Sequence, residues 1–552
     1  MGESTGSTFA ERLNRSLDAA GLKQADLIRA ADARGQKLGK SQVSQYVSGK
    51  TLPRPRVMRL LAELLNVDER WLAAGEGPAA SGAPTATDGS GPAAPSSAAS
   101  AFAAAPPTPA RAAARPETAA PFPSSTAASE SALQSDPGPR STQRSTPMRE
   151  FKKSTKLDNV LYDVRGPVAD EAARMEDEGL RILKLNIGNP APFGFRTPEE
   201  VVTDMRQQLP DCEGYSDSKG LFSARKAIMQ YAQLKHIPNV SMDGIYTGNG
   251  VSELIQLCMN ALLDTGDEIL IPSPDYPLWT ACATLAGGTP VHYVCDEEAE
   301  WNPDLADLES KITTNTKAIV IINPNNPTGA VYPREVLEQI VEIARRHGLM
   351  IFSDEIYDRL CMDGVEHISI ASLAPDLPCV TFSGLSKSHM IAGYRIGWMV
   401  LSGNKRCMKD FIYGINMLSN MRLCSNVPAQ SVVQTALGGY QSVERYVEPG
   451  GRIYEQREYV YKALNEIPGI SAVKPKAAFY IFPKMDVERF NITDDEQFAL
   501  DLLHEKRILI TRGGGFNWGK PDHFRIVYLP RMEVLHEALT DLADFFAHYR
   551  QG

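Results

Sequence analysis

A long stretch of low complexity divides this 552-residue chain into two parts of different character. Residues 77–150 are dominated by Ala, Pro, Ser and Thr, as in the run Ala103-Ala-Ala-Pro-Pro-Thr-Pro-Ala110. Such a composition buries too little apolar surface to offset the conformational entropy that is lost on folding. We therefore predict a disordered linker over 77–150 that joins a small module, residues 1–76, to a large module, residues 151–552.

The two modules also differ in charge. The whole chain has a formal net charge of −10, yet residues 1–76 carry 12 Lys and Arg against 9 Asp and Glu. The acidic excess therefore lies in the large module. A mildly basic head on an acidic body suggests that the two modules have different partners.

Cysteine usage and hydropathy indicate the cellular compartment in which we expect the chain. All 8 cysteines lie in the large module and none forms a Cys-x-x-Cys pair, so we expect no metal site and a reducing, cytoplasmic environment. The N-terminus lacks the apolar core of a secretory signal. Because no run of about 18 apolar residues occurs, we expect no membrane span.

The small module shows the spacing of short amphipathic helices. Phe9, Leu13 and Leu17 recur at i, i+4 and so share one helical face. Gly49 marks the end of a third helical pattern. We predict an all-α bundle of four or five short helices over residues 8–74.

In the large module, strand and helix patterns alternate. Apolar runs at Ile269–Ile271, Ala318–Ile322 and Leu349–Ser353 are separated by amphipathic helices such as Arg334–His347. Continuous apolar strands between helices favour a parallel sheet that is covered on both faces. The last hundred residues mix the helix Arg452–Ile467 with shorter strands, which predicts a smaller α/β lobe.

Polar residues follow three of the predicted strands. The loop Asn323-Pro-Asn-Asn-Pro-Thr-Gly329 leaves one strand, Asp354 follows the next, and Lys387 comes shortly after Val380–Ser383. In open α/β sheets, ligands bind beyond the carboxyl ends of the strands. We therefore expect these side chains to meet at one rim.

A phosphate site is predicted beside this rim. The small-residue turn Gly248–Ser252 precedes a helical run, and a helix N-terminus offers free N–H groups and a positive dipole end to phosphate. Ser386 and Arg395 are placed to complete the phosphate site. Tyr276 is either a stacking partner for a ligand ring or a core aromatic.

Together these residues supply what pyridoxal phosphate (PLP) and an amino acid require. A lysine forms a Schiff base, an aspartate pairs with the pyridinium nitrogen, and one arginine binds the phosphate. A further arginine, Arg525, would grip a substrate carboxylate with two parallel hydrogen bonds. Singly, Lys387 fits a surface lysine and Asp354 a helix N-cap, so the inference depends on the combination.

On these motifs the large module resembles the fold-type I, PLP-dependent class I aminotransferases. At finer grain it is similar to bacterial glutamate–pyruvate (alanine) aminotransferases, through Lys156–Pro167, Leu185–Phe195, Tyr215–Gly220 and Pro521–Arg525. The resemblance implies an α/β fold with a large, mostly parallel sheet and a smaller α/β domain. It also implies a homodimer with shared active sites.

The resemblance assigns roles residue by residue. The catalytic residues it implies are Lys387 as the Schiff-base lysine, Asp354 at the ring nitrogen and Tyr357 at the ring hydroxyl. The other cofactor contacts it implies are Gly250, Val251, Ser252, Tyr276, Asn326, Ser386, Arg395 and, from the neighbouring subunit, Tyr215. The substrate contacts it implies are Gly188, Asn326, Arg525, Tyr162 and Arg165. The lysine amine would act as general base and then as general acid.

Two segments depart from the pattern of the relatives. Residues 388–390 are Ser-His-Met where an aromatic is common, and residues 511–517 are unusually rich in glycine. Since both are expected near the pocket, the keto-acid preference follows less directly from the sequence than the reaction type does.

The small module resembles a Cro/repressor-type helix-turn-helix domain. Its candidate recognition helix is Lys40–Tyr46. The residues expected to contact DNA are Lys40, Gln42, Gln45, Lys50 and Arg54, with glutamine reading adenine edges and the cations binding phosphates. The connection at residues 32–39 is longer than usual, so a helical bundle for protein contacts stays an alternative.

The sequence therefore predicts an alanine aminotransferase that transfers an amino group between alanine and 2-oxoglutarate and carries a DNA-binding head. Two alternatives stay open. In one, the chain is a transcription regulator whose aminotransferase body senses PLP or an amino acid. In the other, it is a class I enzyme of different specificity, acting on aspartate or aromatic amino acids.

Overall fold

The computed structural model of the chain describes residues 8–34, 38–53, 55–65, 67–75, 150–158, 160, 162 and 166–552. The chain divides into two compact units, 1–140 and 141–552. Apart from Glu150, the predicted linker lies outside the described residues, as do Arg54, Arg165 and the boundary at residue 76. The predicted domain limits therefore stay predictions.

Five short helices form the described part of the first unit: α1 (Phe9–Ala19), α2 (Gln24–Ala33), α3 (Lys40–Val47), α4 (Pro55–Leu65) and α5 (Glu69–Ala74). Thr8 begins α1 with a capping box that it shares with Glu11. Leu13, Val43 and Leu61 are fully buried and, with neighbours from the other helices, form the centre of the bundle. The predicted helical bundle is confirmed.

The second unit contains sixteen further helices among its described residues: α6 (Pro167–Asp177), α7 (Glu199–Gln208), α8 (Phe222–Leu234), α9 (Val251–Leu262), α10 (Leu278–Ala286), α11 (Leu305–Ser310), α12 (Arg334–His347), α13 (Leu385–Ser388), α14 (Lys409–Met421), α15 (Val427–Ser431), α16 (Val433–Gly438), α17 (Glu444–Val447), α18 (Arg452–Asn465), α19 (Val487–Phe490), α20 (Asp495–Lys506) and α21 (Met532–His548). None of the described helices combines the length and the apolar character needed to cross a membrane.

Its strands are β1 (Leu183–Lys184), β2 (Ile245–Gly248), β3 (Glu268–Ser273), β4 (Thr289–Asp296), β5 (Asn302–Pro303), β6 (Thr316–Ile322), β7 (Met350–Asp354), β8 (Pro378–Gly384), β9 (Gly397–Gly403), β10 (Ile470–Ser471), β11 (Tyr480–Ile481), β12 (Lys484–Met485), β13 (Ile508–Leu509), β14 (Thr511–Arg512) and β15 (Phe524–Val527). Eight of them form one sheet in the order β2-β9-β8-β7-β6-β3-β4-β5. The central strands β8, β7, β6, β3 and β4 are parallel, whereas β9 and β5 run antiparallel to their neighbours.

Both faces of the sheet are covered, as the continuous apolar strands predicted. In β6, Val320 and Ile322 pack with α9, α10 and α14 on one face, while Ile319 and Ile321 pack toward α8 and α12 on the other. The mostly parallel, doubly covered sheet confirms the predicted fold class. It also places the carboxyl ends of β6, β7 and β8 side by side, since Ile322 pairs with Asp354 and Asp354 with Phe382.

A smaller lobe is built from short strands and from helices that include α6, α18, α20 and α21. β11, β15 and β14 form a three-stranded sheet, β1 pairs with β13, and β10 with β12. Helices α6, α18, α20 and α21 pack together around a third apolar core. Arg525, the residue predicted to bind the substrate carboxylate, lies in β15 of this lobe.

Candidate active site

A cavity of about 260 Å³ opens at the carboxyl ends of the central strands. Its walls come from the sheet rim, from α9 and α13, from the turn before α10 and from the smaller lobe. The residues that line it are Tyr162, Ile187, Gly188, Val251, Ser252, Ile255, Tyr276, Ile322, Asn326, Asp354, Ile356, Tyr357, Ser386, Lys387, Ala392, Arg395, Tyr480 and Arg525.

Asp354 is the last residue of β7 and lies at the floor of the cavity. Its carboxylate accepts hydrogen bonds from Trp279 Nε1 at 3.3 Å and from the N–H of Ile356 at 3.3 Å. Burial raises the pKa of Asp354 to about 6, although both donors act in the opposite direction. A buried carboxylate that accepts from neutral donors is well suited to pair with a cation placed in the cavity.

Lys387 reaches the cavity from the short helix α13, directly after β8. Its Nζ donates to the carbonyl oxygen of Gly188 at 2.8 Å and lies 5.6 Å from the ring centroid of Phe479. Gly188 is required at this contact, because an added Cβ would lie 2.0 Å from Tyr480 Oη. The lysine amine is thereby held against the backbone of Gly188.

Two tyrosines form a buried pair in the wall. The hydroxyls of Tyr357 and Tyr480 are 2.8 Å apart, and their rings meet edge to face. Burial is the main cause that raises the pKa of Tyr357 well above its usual value. The Tyr357 hydroxyl therefore stays protonated near neutral pH and is a hydrogen-bond donor in the cavity wall.

Arg525 lies in the wall contributed by the smaller lobe and is almost completely buried. Its Nη1 donates to Asn326 Oδ1 at 2.8 Å, and its Nη2 donates to the carbonyl oxygen of Asn186. The guanidinium is sandwiched between the rings of Tyr480 and Phe516, at 4.4 and 4.5 Å from their centroids. Among the described residues its Nε has no hydrogen-bond partner, which leaves a donor for an anion.

Arg395 and the start of α9 form a second positively charged part of the cavity wall, in addition to Arg525. Arg395 Nη2 donates to the carbonyl oxygen of Asn249 at 3.3 Å, and an added Cβ on Gly250 would lie 2.2 Å from that nitrogen. Gly250 therefore allows the guanidinium to approach the helix N-terminus. Gly250 provides no side-chain cap for α9, so an anion beside Ser252 would meet both a cation and the helix dipole.

Tyr276 and Tyr162 close another side of the cavity. Their hydroxyl oxygens are 3.1 Å apart. Burial raises the pKa of Tyr276 well above its usual value. Tyr276 lines the cavity and is not a plain core aromatic, while Tyr162 brings the segment before α6 to the same site.

Most of the residues predicted for the site are brought together here. Two described residues of this set do not line the cavity of this chain: Gly250 lies against Arg395, and Tyr215 is 83% exposed. The predicted Arg165 lies outside the described residues. The departing residues 388–390 also lie away from the cavity, where His389 is buried and its Nε2 is 2.8 Å from the carbonyl oxygen of Ala436. Their effect on the substrate pocket is therefore indirect.

Tyr480, Asn186 and Phe516 are functional candidates that sequence reasoning missed. Tyr480 is 123 positions from Tyr357, and Asn186 is 339 positions from Arg525. No local motif marks such contacts. The glycine-rich stretch beside Phe516 was the one sequence feature that could have indicated one of these residues.

The candidate DNA-binding residues lie on or after α3. Lys40, Gln42, Gln45 and Lys50 are exposed. Gln42 Oε1 accepts from the N–H of Gly39 at 3.2 Å and so helps to cap its own helix. Base reading by Gln42 would compete with this cap.

Comparison with known proteins places both parts of the chain. A family model for class I and II aminotransferases matches residues 181–542, and a helix-turn-helix model matches residues 15–72. The glutamate-pyruvate aminotransferase AlaA of Haemophilus influenzae is 58% identical over 404 residues, which are 73% of this chain and 100% of that protein. The alanine aminotransferase of Mycobacterium tuberculosis is 57% identical, over 73% of this chain and 94% of that protein.

A solved aminotransferase structure from Escherichia coli is similar to the second unit, with a TM-score of 0.72 and 57% identity over 73% of this chain and 100% of that one. Enzymes of this class depend on PLP, which is therefore the cofactor of this chain, and they act on amino acids and keto acids. The chain belongs to the class I and II aminotransferase family and carries an N-terminal helix-turn-helix domain.

Proposed function

We propose that this chain is an alanine aminotransferase, which exchanges an amino group between L-alanine and 2-oxoglutarate to give pyruvate and L-glutamate. The observation that carries the proposal is the meeting of Lys387, Asp354 and Arg525 in one cavity, in a chain 58% identical to the whole of a glutamate-pyruvate aminotransferase. A body that only sensed ligands would not need all three, although it could retain them.

The residues of the cavity fit PLP. Asp354 would pair with the protonated ring nitrogen, Tyr276 would face the ring, and Asn326 with Tyr357 would bind the ring hydroxyl oxygen. Arg395, Ser386 and the N–H groups of Val251 and Ser252 at the start of α9 would bind the phosphate, and Gly250 would give the phosphate and Arg395 room at the helix N-terminus. When bound, PLP supplies the electron sink that accepts the electron pair released at the substrate Cα.

Lys387 would supply both the covalent attachment and the proton transfer. Its free Nζ would remove the substrate Cα proton as a base and would then donate that proton as an acid. The amine is held beside Gly188, where the substrate carboxylate would also lie. Lys387 therefore approaches the reacting carbon from a fixed direction.

Arg525 would bind the α-carboxylate of each substrate in turn. Asn326 and Asn186 hold two of its nitrogens, and the two flanking rings fix its plane. Gly188, Tyr162 and Arg165 would lie against the substrate. A planar, pre-oriented guanidinium loses little entropy on binding a carboxylate.

The active unit is proposed to be a homodimer in which Tyr215 reaches the phosphate in the partner's site. Two observations support an interface here. Tyr215 is 83% exposed, and Tyr413 and Met421 on α14 are 67% and 74% exposed. The Tyr215 loop lies beside α14, because Ser218 Oγ donates to Asn420 Oδ1 at 2.7 Å. Exposed apolar side chains in one area are typical of protein interfaces.

The N-terminal domain is proposed to bind DNA through α3. The match to a helix-turn-helix family and the exposed Lys40, Gln42, Gln45 and Lys50 support this. Arg54, outside the described residues, is the further phosphate contact. We propose the domain limits 1–76, 77–150 and 151–552, and a cytoplasmic location, which the eight free cysteines support.

A donor and acceptor panel on the purified full chain tests the proposed activity. L-alanine, L-aspartate and an aromatic amino acid are each paired with 2-oxoglutarate, pyruvate and oxaloacetate. The highest kcat/KM is expected for L-alanine with 2-oxoglutarate and for the reverse pair. A higher value with aspartate or the aromatic donor would assign another class I activity. Bound PLP with no turnover in any pair would assign a sensor.

A further inference from the structure

The first half of the glycine-rich segment 511–517 is held in place by hydrogen bonds to Asp495. The carboxylate of Asp495 accepts from the N–H of Gly514 at 2.6 Å and from Arg512 Nη1 at 3.1 Å. An added Cβ on Gly513 would lie 2.7 Å from the carbonyl oxygen of His523, which directly precedes β15. The glycines therefore let this segment lie flat against β15, the strand that carries Arg525.

The second half of the segment is fastened to the large lobe by Asp275. Asn517 Nδ2 donates to Asp275 Oδ1 at 2.7 Å, and the N–H of Asp275 donates to the carbonyl oxygen of Phe516 at 2.9 Å. Ser273 Oγ adds a bond of 2.8 Å to the carbonyl oxygen of Asn517. Three hydrogen bonds thus join the end of β3 to residues 516 and 517.

Asp275 is fully buried and has neutral partners on both oxygens. Its Oδ2 accepts from Thr280 Oγ1 at 2.9 Å, and Thr280 Oγ1 is in turn 2.9 Å from His292 Nε2. Burial raises the pKa of Asp275 to about 7. Burying an ionised carboxylate is unfavourable, so we expect the two hydrogen-bond acceptor positions of Asp275 to have a structural or functional role.

The link supports two walls of the active site at once. On one side, Asp275 directly precedes Tyr276, which faces the cofactor position. On the other side, its N–H donates to the carbonyl oxygen of Phe516, whose ring centroid is 4.5 Å from Arg525 Cζ. Neither Asp275 nor Asn517 lines the cavity itself.

We propose that Asp275 and Asn517 form a positioning pair that sets the plane of Arg525, through Phe516, and so determines the affinity for the substrate α-carboxylate. The inference rests on the proposed function of Arg525 as carboxylate ligand. Small displacements of a supporting residue are enough to weaken a bidentate contact.

Hydrogen-bond geometry, and not charge, is the property that matters at position 275. An asparagine there can accept from Asn517 with its oxygen and donate to Thr280 with its nitrogen. The Thr280 hydroxyl can then donate to His292. Asp275→Asn should therefore preserve the pair, whereas Asp275→Ala removes it.

The test measures the affinity of the PLP-loaded full chain for glutarate, a dicarboxylate without an amino or keto group, by the change in cofactor absorbance. The KM and kcat for L-alanine and 2-oxoglutarate are measured alongside. Asp275→Ala and Asn517→Ala should each raise the glutarate Kd and both KM values about tenfold, the cost of roughly one buried hydrogen bond. Their kcat should change much less, and Asp275→Asn should be close to wild type.

A double-variant cycle shows whether the two residues act as one unit. The glutarate Kd of the double variant Asp275→Ala/Asn517→Ala should be no higher than that of the single variant with the higher Kd. Thr284→Ala is the matched control, since it removes a hydrogen bond within α10 (Thr284 Oγ1 to the carbonyl oxygen of Thr280, 2.9 Å) without touching the pair. It should leave the glutarate Kd unchanged.

Three results would overturn the proposal: fully additive effects, a wild-type Kd in either alanine variant, or a loss of kcat with unchanged Kd. If Asp275→Ala does not fold, Asn517→Ala decides by the same criteria, because its side chain is only half-buried. Arg525→Lys distinguishes a failure of the proposed role of Arg525 from a failure of the positioning pair. If that variant binds glutarate normally, the proposed role of Arg525 is wrong. If it binds weakly while Asp275→Ala binds normally, only the positioning pair is wrong.

Discussion

Arg525 Nη1 donates a 2.8 Å hydrogen bond to Asn326 Oδ1, which joins β15 of the smaller lobe to the loop after β6 of the large sheet. The carboxylate-binding group and the cofactor-binding loop are therefore one connected unit. Because the bond comes from a buried guanidinium, it holds its geometry without competition from water.

Arg525→Lys is expected to lower kcat/KM for L-alanine by about 10- to 100-fold, because lysine loses the bidentate contact worth roughly 1.5–3 kcal/mol. Most of the loss should appear in KM. Arg457→Lys is the matched control, since Arg457 is also fully buried but pairs with Asp363 away from the cavity. It should change stability and leave KM alone. Equal KM values for Arg525→Lys and wild type would remove Arg525 from the substrate site.

Asp354→Asn is expected to abolish turnover and yet stabilise the cofactor-free chain above pH 6. The folded pKa of Asp354 is about 6 against an ordinary value of 3.8, so its ionisation destabilises the folded state. That penalty is absent below pH 4, grows as pH rises toward 6 and then stays constant. Urea unfolding at pH 7 should show the asparagine variant more stable by about 1–3 kcal/mol, with little difference at pH 4. A wild type that is more stable at pH 7 would contradict this.

Shared active sites are tested by mixing two variants that are each impaired at a different part of the site. Tyr215→Ala should weaken PLP retention in the partner's site, and Lys387→Ala should abolish turnover in its own site. Unfolding and refolding the two variants together should restore part of the activity, since some mixed dimers contain one intact site. Light scattering should give twice the chain mass. An active monomer rules out the shared site.

DNA binding is tested by selection from random sequences at low salt. A paired site with half-sites about one helical turn, roughly 34 Å, apart is expected from a dimeric protein. Gln42→Ala with Gln45→Ala should reduce the preference for that site, and Lys50→Ala should weaken binding to all DNA and lower its salt dependence. Removing residues 1–150 should leave transamination unchanged. If no site is enriched, the small module is a protein-contact domain.

Local patterns predicted the elements and the rim of the site well. The helix Arg334–His347 begins and ends where its apolar period and the following Gly348 predict. Asp354 and Lys387 reach one cavity because parallel strands end at one edge, which is a property of the topology and not of the individual residues. Motifs of this kind are readable because each lies within one strand and its exit loop.

The contacts that complete the site were not readable. Tyr480 lies in a two-residue strand, and its neighbours Tyr357 and Arg525 come from different parts of the chain. Asp275 stands beside a residue that was singled out, yet its partner Asn517 is 242 positions away. Packing between lobes decides such pairs, and periodicity carries no information about it.

The most direct measurement of the central claim follows the amino group itself. The full chain with PLP is given L-alanine carrying an isotopically labelled amino group together with unlabelled 2-oxoglutarate. The label should appear in L-glutamate in the same amount as pyruvate is formed, and Lys387→Ala should slow this by several orders of magnitude. Absence of label transfer in a wild-type chain that retains PLP would contradict the claim, as would an undiminished rate in Lys387→Ala.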